Sequence, residues 1–311
     1  MKILQIDKNH PLITGQLSAA GFVLENDFES GYAEICAKIA DYEGIIIRSR
    51  IPLDRNFLEH ATQLKFIARV GSGMENIACE FAKSQGIKLI NSPEGNRDAV
   101  AEHVMGMLLM LMHRLQISSL EVKEGIWRRE ENRGDELLGK TFGIIGYGVM
   151  GKAVAKRLSG FGLDVIFYDI LPDISDGFAR QVSLENLKKE ADILSIHLPE
   201  TPDTLHFVDE KLISGMHKNF YLINTARGKN VHTKDLVAAL KSGKIKGACL
   251  DVLEFEKASF ENLEIVNEDL QYLLSSENAI ITPHIAGWTV QSKEKLAQVI
   301  VDKIKAEFQP N

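Results

Sequence analysis

The chain of 311 residues is 45% hydrophobic and 25% charged, with a formal net charge of −7. That balance excludes a disordered chain and a general basic footprint for nucleic acid, and the length suits about two domains. The most apolar run, 104–112, is about nine residues against the ~20 needed to cross a bilayer, and the first residues, MKILQIDKNHP, lack the apolar core of a secretory leader. In chain order, β-rich runs come first at 2–7, 44–49, 64–70 and 87–93, with helical patterns such as DRNFLEHA and CEFAKSQG between them. Continuous apolar strands separated by helices predict a parallel sheet covered on both faces, here a small α/β domain over 1–97. From Asp98 the pattern changes to AVAEHVMGMLLMLMHRLQ, a long helix that carries four of the eight methionines. Being apolar on most sides, it must be buried. A second βα series begins at Thr141, with strands TFGIIG, DVIFYD, DILSIHL, YLINTA, GACLDV and AIITPH. Six such strands match two βαβαβ halves, the doubly wound architecture that binds dinucleotides, expected here over 98–287. The helix SKEKLAQVIVDKIKAEF then closes the chain.

Gly146-Tyr147-Gly148-Val149-Met150-Gly151 directly follows TFGIIG and opens the helix KAVAKRLSG. This is G-x-G-x-x-G in a strand–turn–helix context. Gly146 permits the tight turn, Gly148 lets the backbone approach a pyrophosphate over the helix N-terminus, and Gly151 lets helix and strand pack closely. The next strand, DVIFYD, ends in Asp169, 18 residues beyond Gly151. An acid there accepts hydrogen bonds from the ribose hydroxyls and repels a 2′-phosphate, which favours NAD over NADP.

Three later strand ends carry candidate chemistry: Arg227 after YLINTA, Asp251 and Glu256 after the strand in GACLDVLEFE, and His284 after AIITP. These residue types suffice to reduce a 2-oxo acid. Arg227 holds the carboxylate and polarises the neighbouring carbonyl through a charge-assisted fork. His284 delivers a proton to the developing alkoxide, and Glu256 stabilises the imidazolium so that a proton is available near neutrality.

With these residues in place, the sequence resembles the D-isomer-specific 2-hydroxyacid dehydrogenases. The resemblance is carried by GYGVMG with Asp169, HLPETPDTLHFVD, INTARG, ACLDVLEFE and TPHIAG, in order along the whole chain. It implies a flavodoxin-like substrate-binding domain built from 1–97 plus 288–311, beside an NAD-binding Rossmann domain over 98–287. It implies Arg227, Glu256 and His284 as the catalytic set and Asp251 as an acid near the nicotinamide. His197, Leu198, Thr225, Ala226 and Gly287 match positions that line the cofactor. It further implies a homodimer packed through the helix after Asp98. Two residues depart from the family pattern: Lys257 stands where proline usually follows the catalytic glutamate, and Trp288 stands where a small polar residue is usual.

For the substrate, the expected anion-binding groups are Arg48, Arg50, Arg69 and the turn Gly71-Ser72-Gly73, whose N–H groups suit a carboxylate. These segments are most similar to the 3-phosphoglycerate dehydrogenase branch, in which an arginine matching Arg48 faces the substrate phosphate. Arg128, Arg129 and Arg133 are a further basic cluster. The remaining residues after His284 suggest a short form without a C-terminal regulatory domain. Glyoxylate, hydroxypyruvate or another short 2-oxo acid is the alternative substrate. A non-enzymatic NAD-sensing protein of the corepressor kind is a second alternative, and a hydrolase with structural NAD a third. That hydrolase needs a cysteine or metal near the site. The three cysteines, Cys36, Cys79 and Cys249, have no zinc or disulfide spacing, which suits a cytoplasmic protein. No metal, nucleic acid or membrane partner is expected.

Overall fold

Strand runs such as GIII and ILSI bury every side chain on both faces, a pattern satisfied by a parallel sheet sandwiched between helices. The computed structural model describes residues 1–256 and 267–308. It divides into two units, one of residues Met1–Arg97 with the segment from Trp288 onward, the other of Asp98–Gly287.

The first unit holds five strands: β1 Lys2–Gln5, β2 Val23–Asn26, β3 Gly44–Ile47, β4 Phe66–Arg69 and β5 Lys88–Asn91. They are all parallel, in the order β2-β1-β3-β4-β5, which is the flavodoxin-like order. The strands are shorter than their apolar runs. β2 was not expected from the sequence: it is an edge strand with both end residues exposed, so VLEN lacks a continuous apolar run. The helix Val290–Phe308 returns to this sheet. Leu296, Ala297, Ile300, Val301 and Ile304 are buried against Ile3, Ile13, Leu17 and Phe66. Lys303 Nζ adds hydrogen bonds to Asn91 O (2.8 Å) and Glu94 Oε2 (2.9 Å).

Among the described residues the second unit holds seven parallel strands: β6 Thr141–Ile145, β7 Asp164–Tyr168, β8 Arg180–Gln181, β9 Ile193–Ile196, β10 Phe220–Asn224, β11 Ile245–Leu250 and β12 Ala279–Ile281. Their order is β12-β11-β10-β9-β6-β7-β8, so the chain reverses direction across the sheet between β6 and β9. The two-residue β8 is too short to leave a sequence pattern. The methionine-rich helix spans Pro93–Met112 and begins before Asp98, because proline at a first helical position is pre-organised for it. Val104, Met105, Met107, Leu108, Leu111 and Met112 on it are buried, while Met110 is exposed. Arg114, in the left-handed region at φ 53°, separates it from a second helix, Leu115–Lys123, that the sequence reading had not separated. Among the described residues no helix is long and apolar enough to cross a membrane.

The C-terminal helix supplies part of the first unit's core, so truncating it should be costly. Ile300→Ala, at a fully buried position, is expected to destabilise that unit by about 2–5 kcal/mol, read as a lower urea midpoint. An unfolding free energy lowered by less than about 1 kcal/mol would remove the helix from the core.

Candidate active site

Six parallel strands end on one edge of the second unit's sheet, and the candidate residues follow them. Gly146 follows β6, Asp169 follows β7 and His197 follows β9. Arg227, Asp251 and His284 follow β10, β11 and β12, three neighbours in the sheet. Carboxyl ends of strands beside a switch in strand order are where open α/β sheets bind ligands.

The turn after β6 is held on several sides. Gly146 has φ +91°, and a Cβ there would stand 2.6 Å from His197 O, so only glycine fits. A Cβ on Gly151 would meet Gly146 O at 2.3 Å. Tyr147 is fully buried, stacks on Phe167 with centroids 3.7 Å apart, and donates its hydroxyl to Asp176 Oδ1 at 2.6 Å. Burial holds its phenol protonated by pushing the pKa up. This anchor was not anticipated from the sequence, where Tyr147 occupies a variable position of the motif.

The residues fit a dinucleotide. Gly148 caps the helix Val149–Leu158, and its Cβ position has no atom within 4 Å, leaving open space over the helix N-terminus for a pyrophosphate. Val149 and Met150 begin that helix. Asp169 accepts from Tyr147 N (2.7 Å) and Leu171 N (3.0 Å), and each oxygen keeps lone-pair capacity for a ribose hydroxyl. Thr225 Oγ1 is buried without a partner among the described residues, an acceptor and donor left for a ligand. Ala226 N donates to Asn224 Oδ1 (3.0 Å), which fixes the turn after β10. His197 Nε2 lies 2.9 Å from Ser195 Oγ, and burial pushes the imidazole down to about 4, so it is neutral at pH 7. Leu198 stands beside Gly146, its Cδ2 3.3 Å from the Cβ position there.

The structure brings His284 and Glu256 together: His284 Nδ1 lies 2.8 Å from Glu256 Oε2, while Glu256 Oε1 accepts from Leu253 N. His284 itself is left-handed at φ 54°, unusual for a residue with a side chain. Asp251 holds it there. Its carbonyl accepts the His284 N–H at 2.8 Å. Its carboxylate, 1% exposed, accepts from Thr282 Oγ1 (2.5 Å), Ile285 N (2.8 Å) and Ala286 N (2.8 Å). Asp251 thus organises the loop of His284, a role not evident in its sequence position. Arg227 Nη1 donates to Ala226 O at 2.6 Å, and its own carbonyl accepts from Asn224 Nδ2 at 2.9 Å. The next residue, Gly228, lies against the segment leading to Glu256, where a Cβ would come within 2.0 Å of Leu253 O. Lys257 lies outside the described residues. Cys249 is buried within β11, where desolvation holds the thiol protonated, so it offers no nucleophile.

In the first unit, Arg48 lays its guanidinium over the Trp288 ring, 4.5 Å from the centroid, while its N–H donates to Asp7 Oδ2 at 2.6 Å. Arg50 is not part of an open anion site. Its guanidinium is spent on the carbonyls of Ile6, Ser30 and Asp27, so it clips three loops together. Arg69 Nε donates to Arg48 O at 3.0 Å. Gly71 N donates to Ser92 Oγ (3.1 Å), which leaves the N–H groups of Ser72 and Gly73 as the candidates in that turn, since neither meets an acceptor among the described residues. Arg128 and Arg133 pair with Glu121 and Glu130.

The model of the D-isomer specific 2-hydroxyacid dehydrogenase NAD-binding domain matches residues 105–286. The chain is 35% identical to a hydroxypyruvate reductase of Thermotoga maritima over 88% of each chain. It is also 35% identical to a D-3-phosphoglycerate dehydrogenase of Methanocaldococcus jannaschii over 88% of this chain, which spans only 51% of that relative. Among solved structures, a D-lactate dehydrogenase of Aquifex aeolicus complexed with NAD and lactic acid superimposes with a TM-score of 0.83. It is 30% identical, covering 98% of this chain and 95% of that one.

The neutral His197 has a consequence for stability. Its folded pKa is about 4 against 6.5 for the free side chain, so between those values the unfolded chain binds a proton that the folded chain does not. This contribution is complete above pH 6.5 and is lost as the pH falls toward 4, by up to about 3 kcal/mol. Unfolding free energies measured across that window should fall less steeply in His197→Gln. Equal slopes would show that His197 titrates alike in both states.

Proposed function

We propose that this chain, which belongs to the D-isomer specific 2-hydroxyacid dehydrogenase family and is an NAD-dependent oxidoreductase, interconverts 3-phosphoglycerate and 3-phosphohydroxypyruvate, the oxidation that opens serine synthesis. The observation that carries the chemical part is the 2.8 Å pair of His284 Nδ1 with Glu256 Oε2 at a strand end next to that of Asp251.

Bound NAD(H) supplies the hydride acceptor or donor, held by Gly146, Gly148, Val149, Met150, Gly151 and Asp169, and lined by His197, Leu198, Thr225, Ala226, Asp251 and Gly287. The rest falls to side chains. Arg227 pairs with the substrate carboxylate and polarises the 2-oxo group. His284 has Nδ1 committed to Glu256, so Nε2 faces the reacting oxygen. It gives that oxygen a proton in reduction and takes the hydroxyl proton in oxidation. Glu256 sets the ring's orientation and balances the charge it carries when protonated. The N–H groups of Ser72 and Gly73, in the same turn as Gly71, add to the hold on the carboxylate, and Arg48 meets the phosphate.

The phosphate assignment is supported by the resemblance of the Arg48 segment to the phosphoglycerate branch and by the name of the archaeal relative. The Thermotoga relative's name supports a second substrate, hydroxypyruvate or a similarly short 2-oxo acid such as glyoxylate. The reading includes a cytoplasmic homodimer. Leu115, Leu120, Val122 and Trp127 are exposed apolar residues just beyond the Pro93–Met112 helix, a surface suited to a second copy.

NADH oxidation with 3-phosphohydroxypyruvate, hydroxypyruvate, glyoxylate and pyruvate tests the substrate, with the highest kcat/KM expected for the first. Arg48→Ala should raise its KM while nearly preserving kcat, and an unchanged KM would sink the phosphate role. Tight NADH binding with no turnover of any of the four would defeat the dehydrogenase mechanism in favour of an NAD sensor.

His284→Ala should lower kcat by about 10²–10⁴. Near-wild-type turnover would remove His284 from the reaction.

A further inference from the structure

A histidine outside the proposed catalytic set ends on the same loop. His103 lies on the Pro93–Met112 helix, in the second unit, with its side chain 22% exposed. Its Nε2 is 3.0 Å from Thr282 Oγ1 and 3.6 Å from Asp251 Oδ1. The threonine hydroxyl also lies 2.5 Å from that carboxylate oxygen, and 3.9 Å from Met107 Sδ.

The proton positions follow from the acceptors. Asp251 is a carboxylate that takes two backbone N–H groups, Ile285 and Ala286, so the threonine proton goes to it as well. Thr282 Oγ1 then has only lone pairs to offer His103, and Nε2 must carry a proton. The result is a directed chain from His103 Nε2–H to Thr282 Oγ1–H to Asp251, meeting the two N–H groups that follow His284. We infer that His103 is a positioning residue for His284, acting through Thr282 and Asp251 to hold the left-handed turn that aims the imidazole. This rests on the assignment of His284 as the proton donor. His103 does not touch the reacting atoms. Its donor keeps the threonine hydroxyl from rotating, and so keeps the Asp251 carboxylate in one orientation toward residues 285 and 286.

The test compares His103→Phe, which keeps a ring but loses the donor, with His103→Gln, which keeps an N–H donor. In His103→Phe, kcat should fall roughly tenfold to a hundredfold, the scale of a catalytic group misplaced by about 1 Å, with KM for NADH and the 2-oxo acid nearly unchanged. His103→Gln should recover most of kcat. Thr282→Val removes both the link to His103 and the bond to Asp251, so adding His103→Phe to it should bring little further loss. The ring ¹⁵N signals of His284, assigned with His284→Gln, should move in His103→Phe and return in His103→Gln. Unchanged kcat and unmoved His284 signals in a folded His103→Phe would overturn the inference, as would a glutamine variant no better than phenylalanine. If the wild-type chain turned over no 2-oxo acid, the catalytic reading would fail. The His284 signals would still decide whether His103 positions the ring.

Discussion

The second unit's chemistry depends on one buried carboxylate. Asp251 sits just past β11, and its two oxygens take a hydroxyl and two backbone N–H groups from the segment after β12. A buried charge is tolerated only when its lone pairs are filled, so the arrangement is close to all-or-none. It also holds His284 in a backbone conformation that costs of the order of 1–3 kcal/mol for a residue with a side chain. That strain persists because the strand end over-determines the loop. The imidazole's direction is thereby fixed to the sheet and not to a free loop.

The same edge of the sheet separates two electrostatic environments. Around β6, β7 and β9 stand the backbone N–H groups of a helix terminus, the carboxylate of Asp169 just past β7 and a histidine kept neutral by burial. These suit a pyrophosphate and a ribose. Around β10 to β12 stand an arginine, a histidine and a glutamate, the groups proposed above to hold a carboxylate and move a proton. Strand order sets this partition, since the first three strand ends lie beside the switch between β6 and β9 and the others follow outward.

Much of this was legible in the chain. Central parallel strands are buried on both faces and mostly apolar, so runs such as ILSI at β9 and FYLIN at β10 declare themselves, and the glycine turn follows a strand in sequence as in space. The edge strands β2 and β8 left no pattern, β2 because both its end residues are exposed and β8 because it has only two residues. Residues whose work is done through distant partners were also hidden. Arg50 reads as one more anion-binding arginine until three loop carbonyls claim it. His103 looks like a polar break in an apolar helix, since Thr282 is 179 positions away. Trp288 reads as a departure from the family pattern, and its ring supports Arg48.

The topology also bears on the order in which the protein is made. The first unit's sheet is covered in part by the helix Val290–Phe308, and Gln16 and Gln298, which join side chains at 2.8 Å, are 282 positions apart. The whole dinucleotide unit is synthesised between them. At about 5–20 residues per second that takes roughly 10–40 s, during which Ile3, Ile13, Leu17 and Phe66 are without their covering helix. The second unit is therefore complete first on the ribosome. The first must wait, with one apolar face uncovered, until nearly the last described residues have emerged.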